Sequence, residues 1–369
     1  MNAEVVIYGA SGYTGKLIAW HLAEAGIPFI AAGRNQQRLE EQMAGIAELK
    51  GHDYECVAVD HDEDAIRELL KGKKIVYNVV GPFMQLATPV VKAALDSGCH
   101  YLDTTGEQDW MLHAKRTYGA DFEAKGLLLI PACSWMWIGG LLAAEIALEH
   151  PGVDSLDMLY LADSFTSVAS TMSFMRMLIG DQFYLANNTL ETWPRATAYQ
   201  VAIPDFHMQL QALPWGGSGE VVWYEDDPRV KNCSVLVAFR NAEMVGAVID
   251  MVQEYETKYS HLEGEAREQQ TNSMGNVLVS EEPPRENPDV NRSIISCKAR
   301  GNTESVSVVL RGNSPYLQTA AFAAEACRRI LNGDQRGAGA ISPAAAFGAR
   351  ELIAAVAQRG YLTWESTSV

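Results

Sequence analysis

The feature that most constrains the fold is a glycine-rich turn near the start of the chain. It lies between the apolar residues 4–8 and an amphipathic stretch, and consists of Gly9, Ala10, Ser11, Gly12, Tyr13, Thr14 and Gly15. In a strand–turn–helix unit the first glycine allows the tight turn, the second lets a pyrophosphate approach, and the third lets helix and strand pack closely. The helix N-terminus offers N–H groups and a positive dipole end to phosphates. The pattern predicts a dinucleotide site, with a purely structural turn as the alternative.

An arginine follows the second predicted strand, at the position where NAD-binding proteins carry an acid. Residues 29–33 read as a buried strand, and Arg34 and Asn35 come directly after it. A carboxylate here would hold the ribose 2′-OH of NAD, whereas a guanidinium suits the 2′-phosphate of NADP. We therefore predict NADP(H) as the cofactor, bound by the glycine-rich turn together with Arg34 and Asn35.

Length and charge limit the possible partners. With 369 residues the chain is long for one domain and suits two. The formal net charge of −17 argues against nucleic acid or an anionic membrane surface as a partner. The six cysteines are scattered without a C-x-x-C pair, as in a reducing cytosol, and the first strand starts too early for a signal peptide to precede it. We expect a cytoplasmic protein.

One segment, residues 126–144, resembles a membrane span because it carries no charged residue. Pro131 and the pair Gly139 and Gly140 would interrupt a spanning helix. A strand, a loop and a helix explain the segment better, so no membrane span is predicted.

The alternation of strands and helices predicts an α/β fold with a doubly wound parallel sheet in residues 1–150, the Rossmann domain for NADP. Its strands are expected at residues 4–8, 29–33, 54–60, 74–80, 100–103 and 127–130. Helices predicted at residues 316–332 and 344–359, within the C-terminal segment 314–369, are expected to pack back on this domain.

From residue 151 to 313 the pattern changes to that of an inserted α+β domain with a mostly antiparallel sheet. We expect its strands at residues 155–162, 198–203, 220–224, 234–239, 292–299 and 305–310, and helices at 170–179 and 242–258. Residues 281–289 (EEPPRENPD), together with the polar run before them, read as a mobile loop or lid.

The loops at the strand ends are where the chemistry of such a sheet lies. Gly81, Pro82 and Phe83 follow the fourth strand and are assigned to the nicotinamide side, with an ordinary turn as the alternative. Asp60 either faces the adenine or caps the next helix. The candidate proton donors are Tyr101, Asp103 and Cys133 in its neutral form, with solvent as a further source; residues 103–107 can also be a helix cap.

Soft apolar side chains follow the sixth strand and continue in the second domain. They either form core or line a pocket for a hydrophobic substrate; the candidates are Trp135, Met136, Trp137, Met172 and Met175. No motif indicates a metal site, and the eight histidines are dispersed.

Four motifs resemble those of the saccharopine dehydrogenase-like oxidoreductases, a group that includes saccharopine reductases and trans-acting enoyl reductases. They are residues 9–15 (GASGYTG), 32–34 (AGR), 78–83 (NVVGPF) and 101–107 (YLDTTGE). The resemblance covers the first 150 residues well, the terminal helices loosely and the middle hardly at all. It implies a Rossmann domain, an inserted domain that shapes the substrate site and forms a homodimer, and hydride transfer from NADPH.

These observations favour a reductase that transfers hydride from NADPH to a C=C, C=O or C=N group of a hydrophobic or aromatic small molecule. Two alternatives remain. One is an amino- or imino-acid dehydrogenase of the saccharopine type, and the other is a non-enzymatic NADP-binding sensor or scaffold.

Overall fold

The computed structural model describes residues 3–279 and 281–368. These residues form two compact units, each discontinuous in sequence. The first unit contains residues 3–105, 110–135 and 316–356, and the second contains residues 106–109, 136–279, 281–315 and 357–368.

The elements alternate between strand and helix through the first part of the chain. The strands are β1 Val5–Tyr8, β2 Phe29–Gly33, β3 Tyr54–Ala58, β4 Ile75–Asn78, β5 His100–Asp103, β6 Leu128–Ile130, β7 Val153–Asp163, β8 Phe183–Ala186, β9 Thr189–Thr192, β10 Tyr199–Ala202, β11 Gln209–Leu213, β12 Asn232–Phe239, β13 Arg292–Gly301, β14 Ser305–Gly312, β15 Gly339–Ala340 and β16 Leu362–Ser368. The α-helices are α1 Tyr13–Glu24, α2 Gln36–Ala44, α3 Glu63–Leu69, α4 Phe83–Leu86, α5 Thr88–Ser97, α6 Gln108–Ala124, α7 Trp135–Ala147, α8 Val168–Ile179, α9 Glu220–Tyr224, α10 Ala242–Lys258, α11 Gly264–Leu278, α12 Pro315–Asn332, α13 Pro343–Phe347 and α14 Ala349–Gln358.

The first unit is built on a seven-stranded parallel sheet in the order β15-β6-β5-β4-β1-β2-β3. Its central strands β1 and β4 are buried along their whole length, as expected for strands covered on both faces. The strand order reverses between β1 and β4, and ligands of such sheets bind outside the carboxyl ends of the strands at this point. The predicted Rossmann fold is confirmed.

The second unit contains a nine-stranded mixed sheet. The main path is β10-β11-β12-β7-β13-β14-β16, with β8 and β9 attached at β12. Within the described part of this sheet only the pair formed by β7 and β12 is parallel, so the sheet is mostly antiparallel, as predicted.

Residues 126–144 form β6, a loop and most of α7, which confirms the strand–loop–helix interpretation. Among the residues that the structure describes, no helix is long and apolar enough to cross a bilayer. The two glycines of α7 let the helix lie very close to the second sheet. A Cβ on Gly139 would lie 2.1 Å from Ile295 Cδ1, and one on Gly140 would lie 2.6 Å from Tyr160 Oη.

Residues 220–224, predicted as a strand, form helix α9 instead. Their β-branched and aromatic composition favours a strand, but the helix is fixed by polar contacts made by its first and last residues. Glu220 accepts a hydrogen bond from Tyr160, and Tyr224 donates one to Glu145. These side chains are four residues apart, which places both on one face of a helix.

Three further differences from the sequence analysis lie in the last third of the chain. Residues 264–278 form the unpredicted helix α11. The predicted helix 344–359 is two helices, because Gly348 between them has φ +83°. Residues 357–368 do not join the first unit, because β16 pairs with β14 of the second sheet.

The irregular residues 281–289, expected to be a mobile loop or lid, are held at two points. The side chain of Glu286 is buried and accepts a hydrogen bond from Ser164 Oγ at 2.5 Å. The carboxylate of Glu282 accepts one from the backbone N–H of Val168 at 3.2 Å.

Candidate functional site

Two glycines of the amino-terminal turn have the structural roles predicted for them. Gly9 has φ +100°, and a Cβ there would lie 2.7 Å from Val80 Cγ2. A Cβ on Gly15 would lie 2.5 Å from the carbonyl oxygen of Gly9, so only glycine lets α1 start this close to β1. A Cβ on Gly12 would meet only the Gly9 oxygen, at 3.3 Å. The approach of a phosphate to Gly12 therefore stays a prediction.

Several N–H groups of the turn are used within the fold. Gly9 and Ala10 both donate to the carbonyl of Ala32, at 2.8 and 3.1 Å, and Gly12 donates to Gly9 at 3.0 Å. The first backbone bond within the helix runs from Lys16 to Gly12. Among the described residues, the N–H groups of Ser11, Thr14 and Gly15 make none of these bonds, and their contact with a pyrophosphate at the helix N-terminus stays a prediction.

Tyr13, the first residue of α1, contributes to packing through its side chain. Its ring is largely buried and lies edge-on to Tyr316, with 5.0 Å between ring centroids and an interplanar angle of 77°. This contact joins the start of α1 to α12, so a contact of Tyr13 with phosphate would have to use its backbone.

Arg34 lies at the carboxyl end of β2 with an exposed side chain. Within residues 3–279 and 281–368 its guanidinium has no carboxylate partner. Asn35 is the N-cap of α2, because its Oδ1 accepts from the N–H of Arg38 at 2.9 Å. The side chain of Gln36 bonds the N–H of Ala58 and the carbonyl of Cys56, which fixes the start of α2 against β3. The charge of Arg34 is thus available on a well-anchored turn.

A tyrosine–histidine pair at the same sheet edge was not predicted. Tyr8 Oη and His61 Nδ1 are 2.8 Å apart, at the ends of β1 and β3. Burial raises the pKa of Tyr8 to about 12; the nearby Arg34 acts against this rise and Asp60 adds to it. Burial, with Arg34, lowers the pKa of His61. Sequence reasoning missed the pair because its members are far apart in the chain and His61 was one of eight dispersed histidines.

Asp60 is exposed at the end of β3, and the alternative that it caps the next helix is wrong. The N-cap of α3 is Asp62, whose Oδ1 accepts from the N–H groups of Asp64 and Ala65 at 3.0 and 3.1 Å. That Asp60 faces the adenine stays a prediction.

The loop after β4 passes directly over the start of the glycine-rich turn. Val79 donates to the carbonyl of Tyr8, and Asn78 Oδ1 accepts from the N–H of Val80 at 3.0 Å. Gly81 is half-buried and joined to the buried Pro82 by a cis peptide bond. Phe83 begins α4, and its side chain is 95% buried in the core cluster that includes Tyr8. Its ring therefore supports the loop from the core side.

A buried polar network joins the ends of β4, β5 and β6. Asn78 Nδ2 donates to Tyr101 Oη at 3.1 Å, and Tyr101 donates to Asp103 Oδ2 at 2.9 Å. Asp103 Oδ2 also accepts from the indole of Trp110, while Oδ1 accepts from the backbone N–H groups of Thr105 and Ala132. Burial raises the pKa of Asp103 to about 6, although these four hydrogen bonds act in the opposite direction.

All three predicted proton donors are fully buried. Tyr101 and Asp103 bond each other, and Cys133 has no accessible surface. Burial raises the pKa of the Cys133 thiol to about 12, which keeps it neutral. The network therefore holds the strand-end loops in place, and proton donation by any of the three stays a prediction.

The predicted substrate residues are mostly core. Trp137 donates its indole N–H to the carbonyl of Gly106 and lies edge-on to Tyr160, with centroids 5.3 Å apart. Trp135 and Met175 are also buried, so only Met136 and Met172 are partly exposed. Of the two interpretations of this apolar group, the core interpretation fits Trp135, Trp137 and Met175.

The second unit contains a buried acid that sequence reasoning missed. Tyr160 Oη donates to Glu220 Oε1 at 2.5 Å and accepts from the N–H of Gly140 at 2.5 Å. Burial raises the pKa of Glu220 to about 8, against the effect of the hydrogen bond from Tyr160. Burial therefore favours the protonated form of the Glu220 carboxyl. Assigning residues 220–224 to a strand hid this pair.

No group of three or more His, Cys, Asp or Glu side chains in the described part of the chain is arranged to hold a metal ion.

Comparison with known proteins gives two family matches. Residues 138–365 match the family described as "Family of unknown function (DUF5938)". Residues 5–130 match the family described as "Saccharopine dehydrogenase NADP binding domain".

Three curated relatives share about 140 residues with the chain. The lipid droplet localized protein of Caenorhabditis elegans is 32% identical, with 36% of this chain and 33% of that protein covered. A probable mitochondrial saccharopine dehydrogenase-like oxidoreductase of Arabidopsis thaliana is 34% identical and the trans-acting enoyl reductase of Mycobacterium leprae 30% identical, each over 36% of this chain and 32% of the relative. The matched part is about a third of the length of each relative.

A solved structure shares the whole fold. The apo saccharopine dehydrogenase (L-Glu forming) of Saccharomyces cerevisiae superposes with a TM-score of 0.63 over 98% of this chain and 99% of that one, at 13% identity. The predicted resemblance and the predicted cofactor are confirmed. The chain belongs to the DUF5938 family, and its amino-terminal part is a saccharopine dehydrogenase NADP-binding domain with NADP(H) as its cofactor.

Proposed function

We propose that the protein is an NADPH-dependent reductase that acts on a C=C, C=O or C=N group of a hydrophobic or aromatic small molecule. One observation carries this proposal. The guanidinium of Arg34, beside the glycine-rich turn, is exposed, and it has no carboxylate partner among the described residues. A free cation at the end of β2 matches the 2′-phosphate that distinguishes NADPH, the usual reductive cofactor, from NADH.

The residues of the first unit fit this cofactor. Gly9 and Gly15 leave no room for a Cβ, and in this proposal the backbone N–H groups of Ser11 and Thr14 bind the pyrophosphate at the start of α1. NADPH, when bound, supplies the hydride. The network around Asp103 holds the loops after β4, β5 and β6, on the nicotinamide side in this proposal.

The names of two relatives and the apolar surface of the chain support the substrate class. One matched relative is named an enoyl reductase, which indicates a conjugated C=C acceptor, and another is named for lipid droplets. The half-buried Met136 and Met172 offer apolar surface. Since all three donor candidates are fully buried, we propose solvent as the source of the final proton. We further propose a cytoplasmic homodimer with no nucleic-acid partner.

Replacing Arg34 with alanine is expected to weaken NADPH binding by roughly 10- to 100-fold, because a charge-assisted contact with phosphate contributes about 1.5–3 kcal/mol. NADH affinity should change by no more than about twofold, since NADH has no 2′-phosphate. Calorimetric titration of both nucleotides measures the difference.

The matched control for this substitution is Lys50→Ala. Lys50 is also exposed but precedes β3, so it lies towards the amino ends of the strands, whereas Arg34 lies at the carboxyl end of β2. It should leave both affinities unchanged. Equal loss of NADPH and NADH affinity in Arg34→Ala would contradict the role of Arg34.

Turnover is tested separately by following NADPH consumption with enones, ketones and imino acids. We expect consumption with apolar enones or ketones. Consumption with imino acids alone would favour an amino-acid dehydrogenase. Tight NADPH binding without turnover on any of these compounds would favour the sensor or scaffold.

A further inference from the structure

His61 is a titratable side chain that lies beside the position assigned to the 2′-phosphate. It follows β3, as Arg34 follows β2, and the two strands are parallel neighbours in the first sheet. The backbone N–H of Val59 donates to the carbonyl of Gly33 at 2.9 Å, so the segments that start at residues 34 and 60 leave the sheet side by side. The imidazole and the guanidinium therefore lie at the same edge of the sheet, the edge where the ligands of such sheets bind.

The bonds of His61 allow its ring to be neutral or protonated. Its Nδ1 lies 2.8 Å from Tyr8 Oη, and the backbone carbonyl of Leu86 accepts a hydrogen bond from the ring. A tyrosine hydroxyl donates to a neutral imidazole and accepts from a protonated one, so the contact with Tyr8 suits both states. Tyr8 itself stays uncharged, since burial raises its pKa to about 12. The ring can therefore gain or lose a proton without moving.

The surroundings of His61 favour the neutral ring in the protein without nucleotide. Burial is the main cause that lowers its pKa, and the positive charge of Arg34 lowers it further. The carbonyl of Leu86 acts in the opposite direction. Asp60 and Asp62 flank the histidine in its own loop, and both are exposed to solvent, which screens their charges. Of the groups that face His61, Arg34 is thus the one whose charge a bound phosphate would offset.

We propose that His61 takes up a proton when NADP(H) binds and then adds a second positive charge beside the 2′-phosphate. A phosphate paired with Arg34 offsets the repulsion between guanidinium and imidazolium, and its own charge of about −1.5 to −2 attracts the imidazolium. NADH brings no such group, so His61 stays neutral when NADH binds. His61 is then a second determinant of the preference for NADP(H), and this inference rests on the proposed role of Arg34.

The direction of the pH dependence follows from this uptake. The complex with NADPH holds a proton that the protein without nucleotide has released, so NADPH affinity rises as the pH falls from about 8 to about 6.5. The 2′-phosphate, which titrates at about pH 6, cannot imitate this trend, because pairing with a guanidinium favours its dianion and releases protons on binding. NADH affinity should not change over the same range.

The test is calorimetric titration of the full chain with NADPH and with NADH, at about pH 7 in two buffers of different ionisation enthalpy. We expect NADPH binding to take up a fraction of one proton more than NADH binding does. The dissociation constant of NADPH should also fall about three- to tenfold between about pH 8 and about pH 6.5, since a rise of one in the pKa of His61 changes the affinity by up to about tenfold. Equal proton uptake with the two nucleotides, or net release with NADPH, would overturn the proposal.

Substitutions assign the proton to His61. His61→Gln keeps a polar side chain that does not titrate, so we expect it to remove the difference in proton uptake, while NADPH affinity at about pH 8 stays within about twofold of wild type. His61→Asn covers the case in which glutamine disturbs the loop. The matched control is His52→Gln, because His52 is exposed before β3, at the opposite end of that strand from His61. This control should keep the wild-type uptake.

The outcomes for His61 and Arg34 are distinguishable. Wild-type proton uptake in both His61 variants would contradict the assignment, as would loss of the uptake in the His52 control. If Arg34→Ala loses the preference for NADPH while the wild-type protein takes up no proton, the role of Arg34 stands and only the inference on His61 fails. If NADPH does not bind at all, both fail.

Discussion

Replacing Glu220 with glutamine is expected to change the free energy of unfolding by about 5 kcal/mol more favourably at alkaline pH than in acid. Burial raises the pKa of Glu220 from 4.5 to about 8 in the folded protein. A pKa difference of one between the folded and unfolded chains corresponds to about 1.36 kcal/mol. As the pH rises from 4.5 to 8, the unfolded chain releases this proton while the folded chain keeps it, so the free energy of unfolding falls. Glutamine does not titrate and so avoids this loss.

Urea unfolding of wild type and Glu220→Gln at about pH 5 and about pH 9 measures the effect. The two proteins should differ little in acid and diverge as the pH rises through neutrality. Glu191→Gln is the matched control, because Glu191 is exposed on β9 and should not change the profile. Parallel profiles for wild type and Glu220→Gln would show that this carboxyl does not titrate abnormally.

Replacing Gly140 with alanine is expected to destabilise the protein by about 4 kcal/mol. The new Cβ would lie 2.1 Å from Glu220 Oε1 and 2.6 Å from Tyr160 Oη. Both groups are fully buried and bonded to each other, so neither can retreat without breaking their hydrogen bond. Overpacking costs about 1–3 kcal/mol, and an unpaired buried polar group costs a further 1–3 kcal/mol or so.

Another helical glycine gives a control of opposite sign. Gly246 lies within α10, and a Cβ there would meet no atom within 4 Å. Gly246→Ala should therefore stabilise the protein by about 0.5–1 kcal/mol through helix propensity. Gly139→Ala should fall between the two, since the one close contact of its Cβ, at 2.1 Å, is with the terminal Cδ1 of the Ile295 side chain. Thermal unfolding of the three variants measures this order, and equal stability of Gly140→Ala and Gly246→Ala would refute the packing argument.

The first unit was predictable because its signals are local. The requirement for glycine at positions 9 and 15 comes from residues only a few positions away, and Arg34 follows its strand directly. Strand ends meet at one edge of a parallel sheet, so chain order alone placed Tyr101 and Asp103 beside the turn.

The chemical state of the site was not predictable, because it depends on contacts between distant residues. Tyr8 and His61 are 53 positions apart, and Tyr160 and Glu220 are 60 apart. A sequence pattern also cannot show that the carboxylate of Asp103 accepts hydrogen bonds from four donors within the fold. The same limit explains α9, where a partner outside the segment overrides its β propensity.

The chain passes from one unit to the other several times, and this limits how the protein can be divided. Segments of the first and second units alternate along the polypeptide, and the last residues of the second unit follow the last helices of the first. No single break in the gene therefore yields two intact halves. Exchanging the second unit between relatives would require new junctions at several points of the chain. A gene fusion at one point therefore cannot join the nucleotide-binding unit to a different second unit.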